Sequence, residues 1–281
     1  MISQTLSRRG FSKLMAAGAA YAAFRPAPFS APGATVSDAN IVRLSSNENP
    51  YGPSPAALKA MTDAFSLAWR YPDEYADILT DELARLNNVS ADQILLGDGS
   101  GEILKLCASA FTDRDKQIVI GNPTFEAIAR HGGVAHADVV KINLTSDYRH
   151  DLSKMLAASN GAGLVYICNP NNPTASITPK NEISEFLAKI SPDTVVLIDE
   201  AYHHYVESND YESVIPMVKD HPNLIVARTF SKIYGMAGLR CGYCVAQRIR
   251  IGPMRTHQIF DSVNIMALAA ALASLKDTDH V

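Results

Sequence analysis

The residues best suited to covalent chemistry lie in Arg228-Thr229-Phe230-Ser231-Lys232-Ile233-Tyr234-Gly235, followed by Gly238-Leu239-Arg240. A lysine after an apolar strand is ordinarily a solvated charge. Here it stands among hydroxyls, with an arginine eight residues on. An amine that condenses with a carbonyl must be partly desolvated and unprotonated near neutral pH, and a cationic neighbour helps lower its pKa. Thr229, Ser231 and Arg240 would offer two hydroxyls and a fork of donors to a phosphate dianion. Asp199-Glu200-Ala201-Tyr202 directly follows the apolar run Val195 to Ile198. The carboxyl end of a buried strand is where α/β sheets hold ligands, although acids there also commonly cap the next helix. Asn169-Pro170-Asn171-Asn172-Pro173-Thr174 follows another apolar run. Its prolines fix a rigid turn that would present the Asn172 amide, and a purely structural turn would use the same composition. In Gly97-Asp98-Gly99-Ser100-Gly101-Glu102, glycines would let backbone N–H groups and a helix N-terminus approach a phosphate. A plain strand-to-helix connection reads the same way.

Short strands must carry these residues. Ile94-Leu95-Leu96, Gln117 to Gly121, Val139 to Leu144, Leu164 to Cys168, Val195 to Ile198, Leu224 to Ala227 and Gly242 to Val245 are β-branched runs bounded by turn residues. Runs without polar alternation suit strands covered on both faces. Helical patterns fall between them: Pro55 to Ala68, with Ser54 as cap and Pro55 at the first position, Glu102 to Ala110, Lys180 to Ile190 and Asn264 to Lys276. The alternation predicts an α/β fold with a doubly wound, mostly parallel sheet.

Five motifs in order carry a resemblance: Asn47-Glu48-Asn49-Pro50, Gly99-Ser100-Gly101, Asn172-Pro173-Thr174, Asp199-Glu200-Ala201-Tyr202 and Ser231-Lys232 through Arg240. From about Val42 onward the chain resembles the class I/II aminotransferases of the pyridoxal-phosphate fold type I. It looks most like their histidinol-phosphate aminotransferase branch, which shares the Asn-Glu-Asn-Pro arm. The resemblance implies pyridoxal 5'-phosphate as cofactor, with Lys232 as the Schiff-base lysine and proton shuttle. Asp199 matches the partner of the ring nitrogen, which sustains the ring as an electron sink. Asn172 and Tyr202 match the residues on the ring's phenolic oxygen. Gly99, Ser100, Gly101, Thr229, Ser231 and Arg240 match the phosphate cup, and Phe125 the aromatic ring stacked on the cofactor. Tyr71 resembles a tyrosine that reaches the neighbouring subunit's phosphate, which implies a homodimer. Asn47 and Tyr51 belong to the arm lining the substrate pocket. The implied reaction moves an amino group between an amino acid, or a histidinol-phosphate-like amino phosphate, and a 2-oxo acid. Decarboxylases and lyases of the same fold share these motifs, and a catalytically silent chain would keep them too.

Two features depart from the family pattern. Ala175 stands where the family has glycine, an exchange that is tolerated where the turn needs no positive φ. The family also continues for about seventy to ninety residues beyond the length seen here, as a small domain that supplies the arginine for the substrate carboxylate. The expected organisation is therefore a twin-arginine signal over 1–31 and an arm over 32–54. A cofactor-binding large domain over 55–262 and a linker helix over 263–281 follow, with the small domain largely missing.

The signal reading rests on Ser7-Arg8-Arg9-Gly10-Phe11-Ser12-Lys13 before an alanine-rich stretch, Leu14 to Phe24. That stretch is too short and too poor in large side chains to span a membrane stably. Export to the periplasm is expected, or a cytoplasmic protein if the signal does not function. Loss of the segment would move the formal charge from -4 to -8, and neither value suggests nucleic-acid binding. Four scattered cysteines build no disulfide framework, and Cys241 and Cys244 read as small core residues. His203 and His204 lack a companion set with ligand spacing, so no metal is expected. His131 and His136 read as surface residues.

Overall fold

The computed structural model describes residues Leu44–His280, so the expected export signal and most of the expected arm lie outside the described residues. The compact unit begins at Asn47. Eight helices are described: α1 (Pro55–Ala64), α2 (Asp73–Asn87), α3 (Ser100–Phe111), α4 (Ala127–Val134), α5 (Leu152–Ala158), α6 (Lys180–Lys189), α7 (Arg248–Arg255) and α8 (Ile265–Ser274). The strands are β1 (Ile94–Gly97), β2 (Ile118–Asn122), β3 (Val139–Asn143), β4 (Leu164–Cys168), β5 (Val195–Asp199), β6 (Leu224–Thr229) and β7 (Gly242–Ala246).

Local chemistry accounts for the helix starts. Ser54 Oγ accepts from the Ala57 amide and Pro55 opens α1, as the fixed proline φ and the hydroxyl cap dictate. Asn264 caps α8 in the same way, through the Ala267 amide. The pattern from Pro55 to Ala68 continues past α1 only as a 3₁₀ turn, Phe65–Leu67. The last strand starts at Gly242, as expected, just after Arg240, whose left-handed φ of 62° lies outside the strand region.

The strands form one sheet in the order β1-β7-β6-β5-β4-β2-β3. β7 runs antiparallel to both neighbours, β1 and β6, and the remaining pairs are parallel. The expected doubly wound, mostly parallel sheet is thus present. Alternate residues enter separate cores on its two faces. On β4, Val165 and Ile167 join one, and Leu164, Tyr166 and Cys168 the other. Cys241 and Cys244 also fall into opposite cores, since three positions along an extended chain reverse the side of a side chain. α8 lies against α1, where Ile265, Ala269 and Ala64 are buried together. Among the described residues, no helix is long and apolar enough to cross a membrane.

One sheet edge gathers the chemistry. β4, β5, β6 and β1 all end there, and the reversed β7 begins there. Register places Gly242 opposite both Gly97 and Thr229, which brings the Gly97–Gly101 turn to the start of β7 and the end of β6.

Candidate active site

Lys232 follows β6 by three residues and is half-buried, and its Nζ donates to the Asn47 carbonyl at 2.7 Å. Burial lowers its pKa, Asp199 and Glu48 oppose that, and Arg240 adds to it, with a net fall. This is the direction an amine needs to act as a nucleophile near neutral pH. The Asn-Glu-Asn-Pro segment sets the position of the lysine. Asn49 Nδ2 donates to the Ile233 carbonyl at 2.8 Å, and Gly52 passes so close to Gly235 that a side chain on Gly235 would strike the Gly52 carbonyl. Gly235 has φ +66°, so glycine is required there for two reasons.

Tyr202 lies beside the lysine, its ring centroid 5.3 Å from Nζ, and its hydroxyl accepts from Asn47 Nδ2 at 2.9 Å. Asn47, Asn172 and Tyr202 share the wall of a mostly apolar cavity of about 420 Å³ that Ala175, Ile177 and Tyr205 help to line. Asp199, at the end of β5, is 2% exposed. The Ala201 amide donates to its Oδ1 at 3.1 Å and the Tyr166 hydroxyl to its Oδ2 at 3.0 Å. Burial outweighs both donors and pushes the carboxyl up to about 6.

A second group converges on Arg240. Its Nη1 donates to the Ala237 carbonyl at 2.9 Å and reaches Ser231 Oγ at 3.4 Å, and its Nη2 reaches the Asp98 carbonyl at 3.3 Å. A Cβ on Gly99 would fall 2.0 Å from Nη2 and displace the guanidinium, and the φ of +72° favours glycine independently. α3 begins at this point with no side-chain cap, which leaves N–H donors at its positive end. Thr229 and Ser231 are buried alongside, and the Ser231 amide donates to Thr229 Oγ1 at 3.1 Å. One edge therefore offers an anion site and, by Lys232, a nucleophilic amine near a buried carboxylate.

Other expected residues are placed differently. Phe125 is 37% exposed. Its loop is braced to the Asn172 loop, since Thr124 Oγ1 donates to Asn171 Oδ1 at 2.7 Å and Asn171 Nδ2 to the Pro123 carbonyl at 3.1 Å. Tyr51 and Tyr71 are 86% and 80% exposed, and Tyr71 sits in a separate hollow with Trp69 and Tyr75. Ala175 has φ +56°. The condition for an unstrained exchange, a turn without positive φ, is not met: the turn is left-handed, and alanine bears the strain. Glu200 is no helix cap. Its Oε2 accepts from Arg228 Nε at 2.8 Å, with both side chains buried, and its Oε1 accepts from the Val214 amide at 2.8 Å. His203 contacts Arg228, and burial beside that cation pushes it down to about 2. His136 is exposed, as expected, whereas His131 is half-buried in the last turn of α4. Tyr166 was not singled out by sequence. The available signal was a tyrosine inside an otherwise aliphatic strand, since a buried phenol takes a hydrogen-bond partner.

The chain matches the model for aminotransferase class I and II over residues 39–281. It is 36% identical over 255 residues to a histidinol-phosphate aminotransferase of Shouchella clausii, covering 88% of this chain and 69% of that protein. Identity is 39% over 243 residues to the protein of the same name from Symbiobacterium thermophilum, covering 86% and 66%. The chain spans about two thirds of the length of the curated relatives it matches. Its structure is similar to that of histidinol-phosphate aminotransferase from Sinorhizobium meliloti in complex with pyridoxal-5'-phosphate. The TM-score is 0.79 at 31% identity, covering 83% of this chain and 64% of that one.

Proposed function

The chain belongs to the aminotransferase class I and II family, and we propose that it transfers an amino group between an amino acid or amino phosphate and a 2-oxo acid. Its cofactor is pyridoxal 5'-phosphate. The residues present fit that group. The cradle at Gly99 that a Cβ would fill, beside Arg240 and the uncapped α3, suits a phosphate. The buried Asp199 carboxylate, which Lys232 reaches only through its charge, suits a protonated ring nitrogen.

The observation that carries the reading is Lys232 Nζ, lowered in pKa, beside Tyr202 and within the field of Asp199. When bound, the cofactor supplies an aldehyde that exchanges amines and a ring that draws electron density from the substrate's Cα. Lys232 would hold the cofactor through its amine, and the same amine would serve as the acid and base that moves the substrate's Cα proton. Asp199 would keep the ring nitrogen protonated. Asn172 and Tyr202 would hold the ring's phenolic oxygen, while Ser100, Gly101, Thr229, Ser231 and Arg240 would bind the phosphate. Phe125 would pack against the cofactor, and Asn47 and Tyr51 would border the substrate. Likeness to histidinol-phosphate aminotransferases supports an amino phosphate as one substrate.

The functional unit in this reading is a homodimer in which Tyr71 serves the neighbouring site, and its exposure in the single chain supports that. The test of the central assignment is spectroscopic. Purified wild-type protein incubated with pyridoxal phosphate should gain a visible band that L-glutamate bleaches, and Lys232→Ala should lose the band. An unchanged band in Lys232→Ala sinks the assignment, and release of carbon dioxide in place of amino transfer would favour a decarboxylase.

A further inference from the structure

The Tyr166 hydroxyl donates to Asp199 Oδ2 at 3.0 Å, and both residues are 2% exposed or less. They meet because β4 and β5 are adjacent and parallel, with Tyr166 opposite Leu197 and Cys168 opposite Asp199. Tyr166 and Leu197 face the same core, so the phenol extends diagonally along that face to the carboxylate. The remaining aliphatic positions of β4 could donate nothing. Asp199 needs donors, because an ionised carboxylate without solvent is costly. The Ala201 amide serves Oδ1 alone, which leaves Oδ2 to Tyr166.

We propose that Tyr166 is a positioning residue for amino transfer, holding Asp199 ionised and oriented toward the ring nitrogen of the bound cofactor. This rests on the proposed function and adds a residue to it. A hydrogen bond to the charged form favours that form. It also fixes the carboxylate's rotation, since its two oxygens have separate donors, one on β4 and one in the turn after β5. The charged and titratable groups around Asp199 are Tyr166 and Cys168 from β4, Lys232 after β6, and Glu200, Tyr202 and Tyr211 from the segment that follows it. Of these, Tyr166 is the side chain that donates directly to the carboxylate, and Lys232 acts through its charge. Burial keeps the phenol itself protonated, well above its ordinary range.

The test is Tyr166→Phe in the holoprotein, which keeps the ring in its core and removes the donor. With ¹⁵N-labelled cofactor, the ring-nitrogen resonance should move toward that of neutral pyridine. With ¹³C-labelled aspartate, the carboxyl midpoint of Asp199, identified by its loss in Asp199→Asn, should rise by about one pH unit. A ring-fluorinated tyrosine at position 166, a stronger donor of nearly the same shape, should move both readouts the opposite way. It keeps the test open if Tyr166→Phe does not fold. A folded Tyr166→Phe with both signals unmoved overturns the proposal. Wild-type protein that acquires no visible band with the cofactor overturns the function instead, and the aspartate titration of the cofactor-free protein then still decides what Tyr166 does.

Discussion

Single residues at this edge are tuned against their own comfort. Asp199 is the clearest case, because burial lifts its carboxyl from 3.8 to about 6. A folded pKa above the unfolded one contributes stability that is complete below about pH 4 and is lost as pH rises through about 6. Ionised Asp199 therefore costs the cofactor-free protein about 3 kcal/mol at pH 8. Asp199→Asn should make the cofactor-free protein more stable than wild type by about 2–3 kcal/mol at pH 8, an advantage that shrinks as pH falls toward 4. Urea unfolding at the two pH values measures it, and a difference independent of pH would refute the argument. With cofactor bound, the same substitution should abolish most turnover, because a neutral amide cannot hold the ring nitrogen protonated. Lys232 is biased in the complementary sense: its amine loses its proton more readily than an exposed lysine.

At the scale of elements, strand ends and turns decide where those residues stand. The turn after β4 holds Ala175 at φ +56°, where the Ala175 amide donates to the Asn171 carbonyl at 2.8 Å. A left-handed alanine is strained by about 1–2 kcal/mol. Ala175→Gly should raise stability by about 1 kcal/mol after allowance for the freer unfolded chain. A urea midpoint unchanged or lowered by the substitution would count against this account. Behind the site, the pair of Glu200 with Arg228 ties the end of β5 to β6 and to the 213–214 segment, where Ser213 Oγ accepts from Arg228 Nη2 at 2.8 Å. Both charges are satisfied by fixed partners. The network thereby anchors the loop that carries Tyr202 without occupying the site.

At the scale of the whole molecule, one face of the described residues is rich in exposed aromatic and aliphatic side chains. Trp69, Tyr71, Ile259 and Phe260 are 76%, 80%, 64% and 84% exposed. They line two hollows that meet at Pro72 and Asp73, and contiguous exposed apolar surface marks an interaction site. This face supports the proposed homodimer. Equilibrium sedimentation should give a dimer at micromolar concentration, and Trp69→Glu should weaken association at least about tenfold, since an unpaired charge buried in an interface costs more than 1.4 kcal/mol. A wild-type monomer would overturn it.

The amino-acid sequence by itself determined the seven strands within a residue or two and the cap at Ser54, and it named the residue types that the structure gathers at one sheet edge. Each of these depends on local chemistry: a hydroxyl that caps, a proline that fixes φ, a run of β-branched residues that suits a buried strand. Only the tertiary structure decided that β7 runs against its neighbours and brings Gly242 to Gly97 and Thr229. The same holds for the positive φ of Ala175, and for the adjacency of β4 and β5 that lets Tyr166 reach Asp199. Alternation along a strand tells which face a side chain takes. Its neighbour on that face depends on sheet order, which long-range packing selects.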